Sequence, residues 1–164
     1  MKNTVQIYGL PRSGTNFLEW TLKEYFKNIK YKDFYEKCDV KQLSIHNKNM
    51  AVKHSYPSFK FSDKVIVIYK DYEKWNKSYR KWSHNNGIIE VWENYLKKSK
   101  ELNGDNCIII SHDELYCNYK NSINLFSKKF NLELNKKEIL LPKNRFNKGG
   151  SRAKPNTKQI YKHE

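Results

Sequence analysis

The chain has 164 residues and carries 32 Lys and Arg against 17 Asp and Glu, a formal net charge of +15. This length predicts one compact domain over residues 1–164, with a basic tail at about 145–164, and the charge favours acidic partners. Three cysteines without metal-ligand spacing argue against a disulfide framework. No apolar run approaches the roughly 18 residues of a membrane helix, and the first residues lack the apolar centre of a signal peptide. A cytoplasmic protein without a membrane span is therefore expected.

Short apolar runs alternate with amphipathic segments along the chain, which predicts an α/β fold with a parallel sheet between layers of helices. The segment Asn28–Asn49 is polar and aromatic without a clear period, and we interpret it as a lid or a ligand-binding insertion. The tail after Asn144 is basic and predicted to be disordered until a ligand binds. Strands are predicted at Thr4–Tyr8, Ala51–Lys53, Val65–Tyr69 and Cys107–Ser111, and helices at Gly14–Asn28, Tyr72–Ser83, Ile88–Leu102 and Tyr119–Phe130.

The stretch GLPRSGTNF, which begins at Gly9, joins the first predicted strand to the first predicted helix. The first turn of a helix has backbone N–H groups without intrahelical partners, and phosphate binds well there. Gly9 and Gly14 stand at the spacing of the phosphate-loop pattern G-x-x-x-x-G-K-S/T. Thr15 and Asn16 replace the Lys and the Ser/Thr that hold phosphates and magnesium, and Arg12 brings positive charge into the loop. We therefore expect a phosphate-bearing ligand that is handled without a metal.

This loop resembles the 5′-phosphosulfate loop of sulfotransferases that use 3′-phosphoadenosine 5′-phosphosulfate (PAPS), which commonly reads PRSGTT or PKSGTT. The resemblance implies a three-layer sulfotransferase architecture like that of P-loop NTPases, with PAPS as co-substrate, adenosine 3′,5′-bisphosphate as product and no metal. At 164 residues the chain would be a short, divergent member. The implied loop ligands of the donor are Pro11, Arg12, Ser13, Gly14, Thr15 and Asn16.

Two further segments resemble the parts of this family that hold the donor's 3′-phosphate. The family has a strand ending in Arg and a Ser eight positions later; here Lys70 and Ser78 stand at that spacing, with Tyr72 in place of the usual Pro. Lys provides a point charge where Arg provides a bidentate fork. Near the C-terminus, Lys148 and Gly149 match part of the family's Arg-Lys-Gly loop. The resemblance implies that these four matching residues bind the donor.

A Lys-His pair before a proline resembles the family's segment that carries the general base. His54 is the candidate base, because an imidazole titrates near neutral pH and can take the proton of the acceptor. Lys53 would add positive charge on the sulfuryl side, and Arg12 would approach the bridging oxygen or the 5′-phosphate. His46 and Glu36 are the alternatives for the base.

The late strand Cys107–Ser111 is followed by His-Asp-Glu-Leu, which resembles the family's Tyr-Glu-Asp-Leu segment. For Asp113 and Glu114 the simpler interpretation is helix capping or pairing with neighbouring lysines. The resemblance thus extends from about Val5 to about Asn156.

The function that these motifs imply is sulfuryl transfer from PAPS to a hydroxyl or amine of an unidentified acceptor. The alternatives are a non-catalytic adenine-nucleotide-binding protein, a magnesium-dependent phosphoryl-transfer enzyme with a degenerate loop, and a nucleic-acid-binding protein. Tyrosines and tryptophans interleaved with lysines would suit nucleic acid. Between Lys70 and Trp82, however, the aromatic residues recur at helical spacing, so a buried helix face explains them more simply. Nucleic acid is therefore not the expected partner, and the oligomeric state stays open.

Overall fold

The computed structural model describes residues 5–27, 29, 40–44, 64–102, 104–135, 138–142 and 160–162. Its centre is a parallel four-stranded sheet in the order β2-β1-β3-β4. These strands are β1 (Val5–Gly9), β2 (Val40–Ser44), β3 (Lys64–Tyr69) and β4 (Cys107–Ser111). The chain leaves β1 for β2 on one side and then returns to β3 on the other side. The strand order therefore reverses between β1 and β3, and ligands of open α/β sheets bind at the carboxyl ends of the strands at such a point.

Helices cover both faces of the sheet, so the fold has three layers. One face packs against α1, α4 and α5, and the other packs against α2 and α3. A small antiparallel pair, β5 and β6, lies outside the main sheet. The bounds are α1 (Thr15–Tyr25), α2 (Tyr72–Ser83), α3 (Ile89–Glu101), α4 (His112–Cys117), α5 (Tyr119–Phe130), β5 (Leu140–Pro142) and β6 (Ile160–Lys162).

The alternation of side chains along β3 explains why both faces are covered. Ile66 and Ile68 lie in the core against α1, α4 and α5, whereas Val65 and Val67 lie in the core against α2 and α3. All four side chains are at most 1% exposed. A strand with apolar residues on both faces is typical of parallel sheets, because neither face meets water.

The predicted fold class, an α/β protein with a parallel sheet flanked by helices, is confirmed. The bounds of α2, α5 and β4 agree with the predicted ones, and those of α1, α3, β1 and β3 differ only near their ends. None of the helices in the described part of the chain is long and apolar enough to cross a membrane.

Two segments predicted to be irregular contain short strands that the sequence analysis did not predict. β2, Val40–Ser44, lies inside the segment Asn28–Asn49 that we interpreted as a lid or insertion. Within the described ranges it is an edge strand that pairs with β1 alone, and polar residues in such a strand do not exclude it. In the tail, Ile160–Lys162 pairs with β5. The predicted strand Ala51–Lys53 lies outside the described residues.

Candidate anion-binding site

The loop between β1 and α1 has a backbone suited to bind an anion. Arg12 and Gly14 have positive φ angles, 71° and 102°, while Ser13 between them does not. The Ser13 N–H donates to the Leu10 carbonyl at 3.0 Å and closes a tight turn. An alternation of φ angles is typical of nests, loops whose backbone N–H groups bind phosphate. A non-glycine residue in this conformation is strained, and such strain is concentrated at functional sites.

The residues of the loop differ in exposure. Ser13 and Thr15 are 2% and 5% exposed, whereas the guanidinium-bearing side chain of Arg12 is exposed. Gly14 is the N-cap of α1, and the first turn of this helix contains no acidic residue. Positive charge from the helix dipole and from Arg12 therefore favours an anion at this place.

Close contacts fix the loop against its neighbours at two glycines. A Cβ on Gly9 would lie 2.5 Å from Cγ2 of Thr15 and 3.1 Å from the carbonyl oxygen of Ile68. A Cβ on Gly14 would lie 2.5 Å from Cδ2 of His112. Only glycine permits both approaches, so the loop packs directly on the end of β3 and on the start of α4.

His112 is a functional candidate that the sequence prediction did not place in the site. Its ring lies beside Phe17 and Tyr116, with ring centroids 5.8 and 6.2 Å apart. Its Nδ1 is 3.8 Å from Oδ1 of Asp113, and Asp113 pairs with Lys74 of α2. A signal existed in the sequence, because His112 directly follows β4 and so reaches the same sheet edge as the loop.

The pair of Lys74 and Asp113 joins α2 to α4 across the carboxyl edge of the sheet. The hydrogen bond from Lys74 lowers the pKa of Asp113, and the same contact raises the pKa of Lys74. Asp113 thus pairs with a lysine, one of the two roles predicted for it. The cap of α4 is Ser111, whose hydroxyl accepts from the Glu114 N–H at 3.0 Å. Glu114 therefore occupies the first turn and is not the capping side chain.

Of the two residues predicted to hold the 3′-phosphate, Lys70 lies at the same sheet edge as this loop and Ser78 lies in the helix that follows. Lys70 follows β3 directly and is half-buried, and Ser78 is a half-buried residue of α2. Since a helix rises about 1.5 Å per residue, Ser78 lies about 9 Å along the axis from Tyr72. A phosphate held by both would therefore lie beside the first two turns of α2.

Several predicted site residues lie outside the described part of the chain and stay predictions. These residues are Glu36, His46, Lys53, His54, Lys148 and Gly149. Among the described residues, no group of three or more His, Cys, Asp and Glu could hold a metal ion.

Comparison with solved structures supports the fold at this point. The chain is similar to the crystal structure of mouse sulfotransferase SULT7A1 complexed with PAP, with a TM-score of 0.54 and 12% sequence identity. The match covers 83% of this chain and 61% of that chain, so this chain spans about three fifths of the length of the mouse protein. No family model matches the sequence, and no curated protein matches it. The likeness is one of fold, a sulfotransferase-like arrangement.

Proposed function

We propose that this protein is a sulfotransferase that takes a sulfuryl group from PAPS and transfers it to a hydroxyl or amine. One observation carries the proposal: a loop with alternating φ angles and an exposed Arg12 precedes the amino end of α1, at the reversal point of a sulfotransferase-like sheet. A doubly phosphorylated donor suits this edge, because a second cation, Lys70, follows the neighbouring strand β3. The similar mouse protein was crystallised with PAP.

The proposed donor contacts follow from these residues. The backbone N–H groups from Gly14 to Asn16 bind the 5′-phosphosulfate, since the Ser13 N–H is taken by the Leu10 carbonyl, and Arg12 neutralises the charge that develops on the leaving phosphate. Lys70 and Ser78 bind the 3′-phosphate, and Lys148 with Gly149 covers it. PAPS supplies an activated sulfuryl group, so the protein's task is to position the two reactants.

The proposed chemistry requires a base for the acceptor. His54 takes the proton from the acceptor as its oxygen or nitrogen bonds to sulfur, and the bond from sulfur to the bridging phosphate oxygen breaks. Lys53 balances charge on the sulfuryl oxygens. The product of the donor is adenosine 3′,5′-bisphosphate.

Thermal stabilisation by ligands tests the donor site. Adenosine 3′,5′-bisphosphate at a hundred times its dissociation constant adds about 2.7 kcal/mol to the free energy of unfolding, which is a rise of about 5–10 °C in Tm for a chain of this size. AMP should stabilise less, because it lacks the 3′-phosphate. Arg12→Ala and Lys70→Ala should reduce the shift, whereas Lys77→Ala and Arg80→Ala remove exposed charges of α2 and control for the net charge of +15.

The outcomes separate the alternatives at fixed salt. An equal shift with ATP and magnesium would contradict the sulfotransferase assignment and favour phosphoryl transfer. Binding of the bisphosphate without transfer from PAPS to any acceptor in a broad screen would indicate a nucleotide-binding protein. Transfer that is lost in His54→Ala while bisphosphate binding persists would support the proposed base.

A further inference from the structure

Two tryptophan side chains donate hydrogen bonds to the backbone at the two segments of the candidate site. Nε1 of Trp75 donates to the Pro11 carbonyl at 2.9 Å, inside the loop after β1. Nε1 of Trp92 donates to the Lys70 carbonyl at 2.8 Å, directly after β3. Each segment of the site is therefore tied to the helical layer of α2 and α3.

Packing holds both indole rings in place. Trp75 is 2% exposed and lies between Tyr72 and Tyr79, with ring centroids 6.1 and 5.2 Å apart. Trp92 also contacts Tyr72, edge-on, with ring centroids 5.9 Å apart. The Tyr72 hydroxyl donates to the Gly87 carbonyl at 2.9 Å, so the ring that touches both indoles is itself fixed.

These hydrogen bonds also set the direction of the peptide units. In a trans peptide the C=O and the following N–H point in opposite directions. With the Pro11 carbonyl held by Trp75, the Arg12 N–H points away from Trp75. In the same way, the Lys70 carbonyl is held by Trp92, so the Asp71 N–H points away from Trp92. The peptide unit that follows the Lys70 side chain is thereby fixed. The indoles thus fix the backbone that carries Arg12 and Lys70, the two proposed cationic contacts of the donor, without contacting the ligand themselves.

We propose that Trp75 and Trp92 are positioning residues of the donor site, with Trp75 acting on the 5′-phosphate and Trp92 acting on the 3′-phosphate through Lys70. This inference rests on the proposed function. It predicts that the loss of the Trp92 N–H changes the ratio of the affinities for adenosine 3′,5′-bisphosphate and AMP. The loss of the Trp75 N–H should leave this ratio unchanged.

Trp92→Phe is the deciding variant, because Phe keeps an aromatic ring and loses the N–H donor. Dissociation constants for adenosine 3′,5′-bisphosphate and AMP are measured by titration calorimetry at fixed salt. Affinity for the bisphosphate should fall by at least twofold and by up to about fivefold, the limit set by the full strength of one ordinary hydrogen bond, and affinity for AMP should change less than twofold. A purely structural role would weaken both ligands alike.

Trp75→Phe should instead weaken both ligands by a similar factor of about five, since both carry the 5′-phosphate. Trp82→Phe is the matched control: Trp82 is 39% exposed at the end of α2, and its replacement should alter neither affinity. An unchanged ratio of affinities in Trp92→Phe, with wild-type protein that binds the bisphosphate, would overturn this inference alone. Wild-type protein that binds neither ligand would overturn both the inference and the proposed function.

Discussion

Gly14→Ala is the most direct test of the loop geometry, because the structure gives two separate reasons why it should destabilise the protein. The φ angle of Gly14 is 102°, which costs a residue with a Cβ about 1–2 kcal/mol or more. The added Cβ would also lie 2.5 Å from Cδ2 of His112, and overpacking of this kind costs about 1–3 kcal/mol. We therefore expect the free energy of unfolding to fall by about 2–5 kcal/mol.

A second substitution separates the two contributions. In a His112→Ala background the clash disappears and only the backbone cost remains, so Gly14→Ala should then cost about 1–2 kcal/mol. Gly104→Ala is the control, because among the described residues its Cβ would meet the Leu102 carbonyl oxygen alone, at 3.7 Å. That change should be neutral or slightly stabilising.

Urea denaturation followed by circular dichroism measures all four variants, with the slope of the transition checked for constancy. A cost below about 1 kcal/mol for Gly14→Ala would refute the loop conformation. The same cost in the presence and absence of the His112 side chain would refute the contact between α4 and the loop.

Three further substitutions test other parts of the fold, each by chemical denaturation. Arg12→Gly should be about 1 kcal/mol more stable than Arg12→Ala, because glycine accepts the positive φ angle, and equal stability would contradict that angle. Tyr119→Phe should lower the free energy of unfolding by about 1–3 kcal/mol, because it removes a buried hydrogen bond of 2.9 Å to the Thr21 hydroxyl. Adding Thr21→Val should restore most of this stability, and additive costs of the two changes would contradict the pairing. Lys74→Met should reduce the loss of stability between pH 7 and pH 2, because pairing with Lys74 lowers the folded-state pKa of Asp113. The stabilisation from this pair is present above the unfolded-state pKa of Asp113 and disappears as the pH falls through the folded-state pKa. Identical pH profiles of the variant and the wild type would contradict the pairing.

The sequence predicted those helices and strands whose own residues show a periodic pattern of apolar side chains. In α2, Trp75 and Tyr79 recur at helical spacing and are 2% and 9% exposed, as a buried helix face requires. Trp82 was expected on that face but is 39% exposed, and Ser83 is the buried residue in the last turn. Local periodicity thus predicts which elements form and approximates which side they bury.

Features that depend on contacts between distant residues were not predictable in the same way. β2 forms because β1 offers it a parallel partner, with Val40 opposite Val5 and Ser44 opposite Gly9. The bond from Trp75 to Pro11 spans 64 positions of the chain. Neither feature leaves a local pattern, since each depends on where the topology brings the two partners.

The likeness to the mouse protein, at 12% identity, is one of backbone arrangement. What the anion site needs from side chains is small: two glycines, Gly9 and Gly14, that allow close packing, and buried apolar residues in the strands on either side. The proposed binding groups are backbone N–H groups, which any sequence supplies once the φ angles alternate. A scan for side-chain patterns therefore has little to detect in such a site. The charged side chains near the loop can vary in sequence without a change of backbone. We therefore expect Arg12 and Lys70 to set how the affinity of this chain for the proposed donor differs from that of proteins with the same backbone.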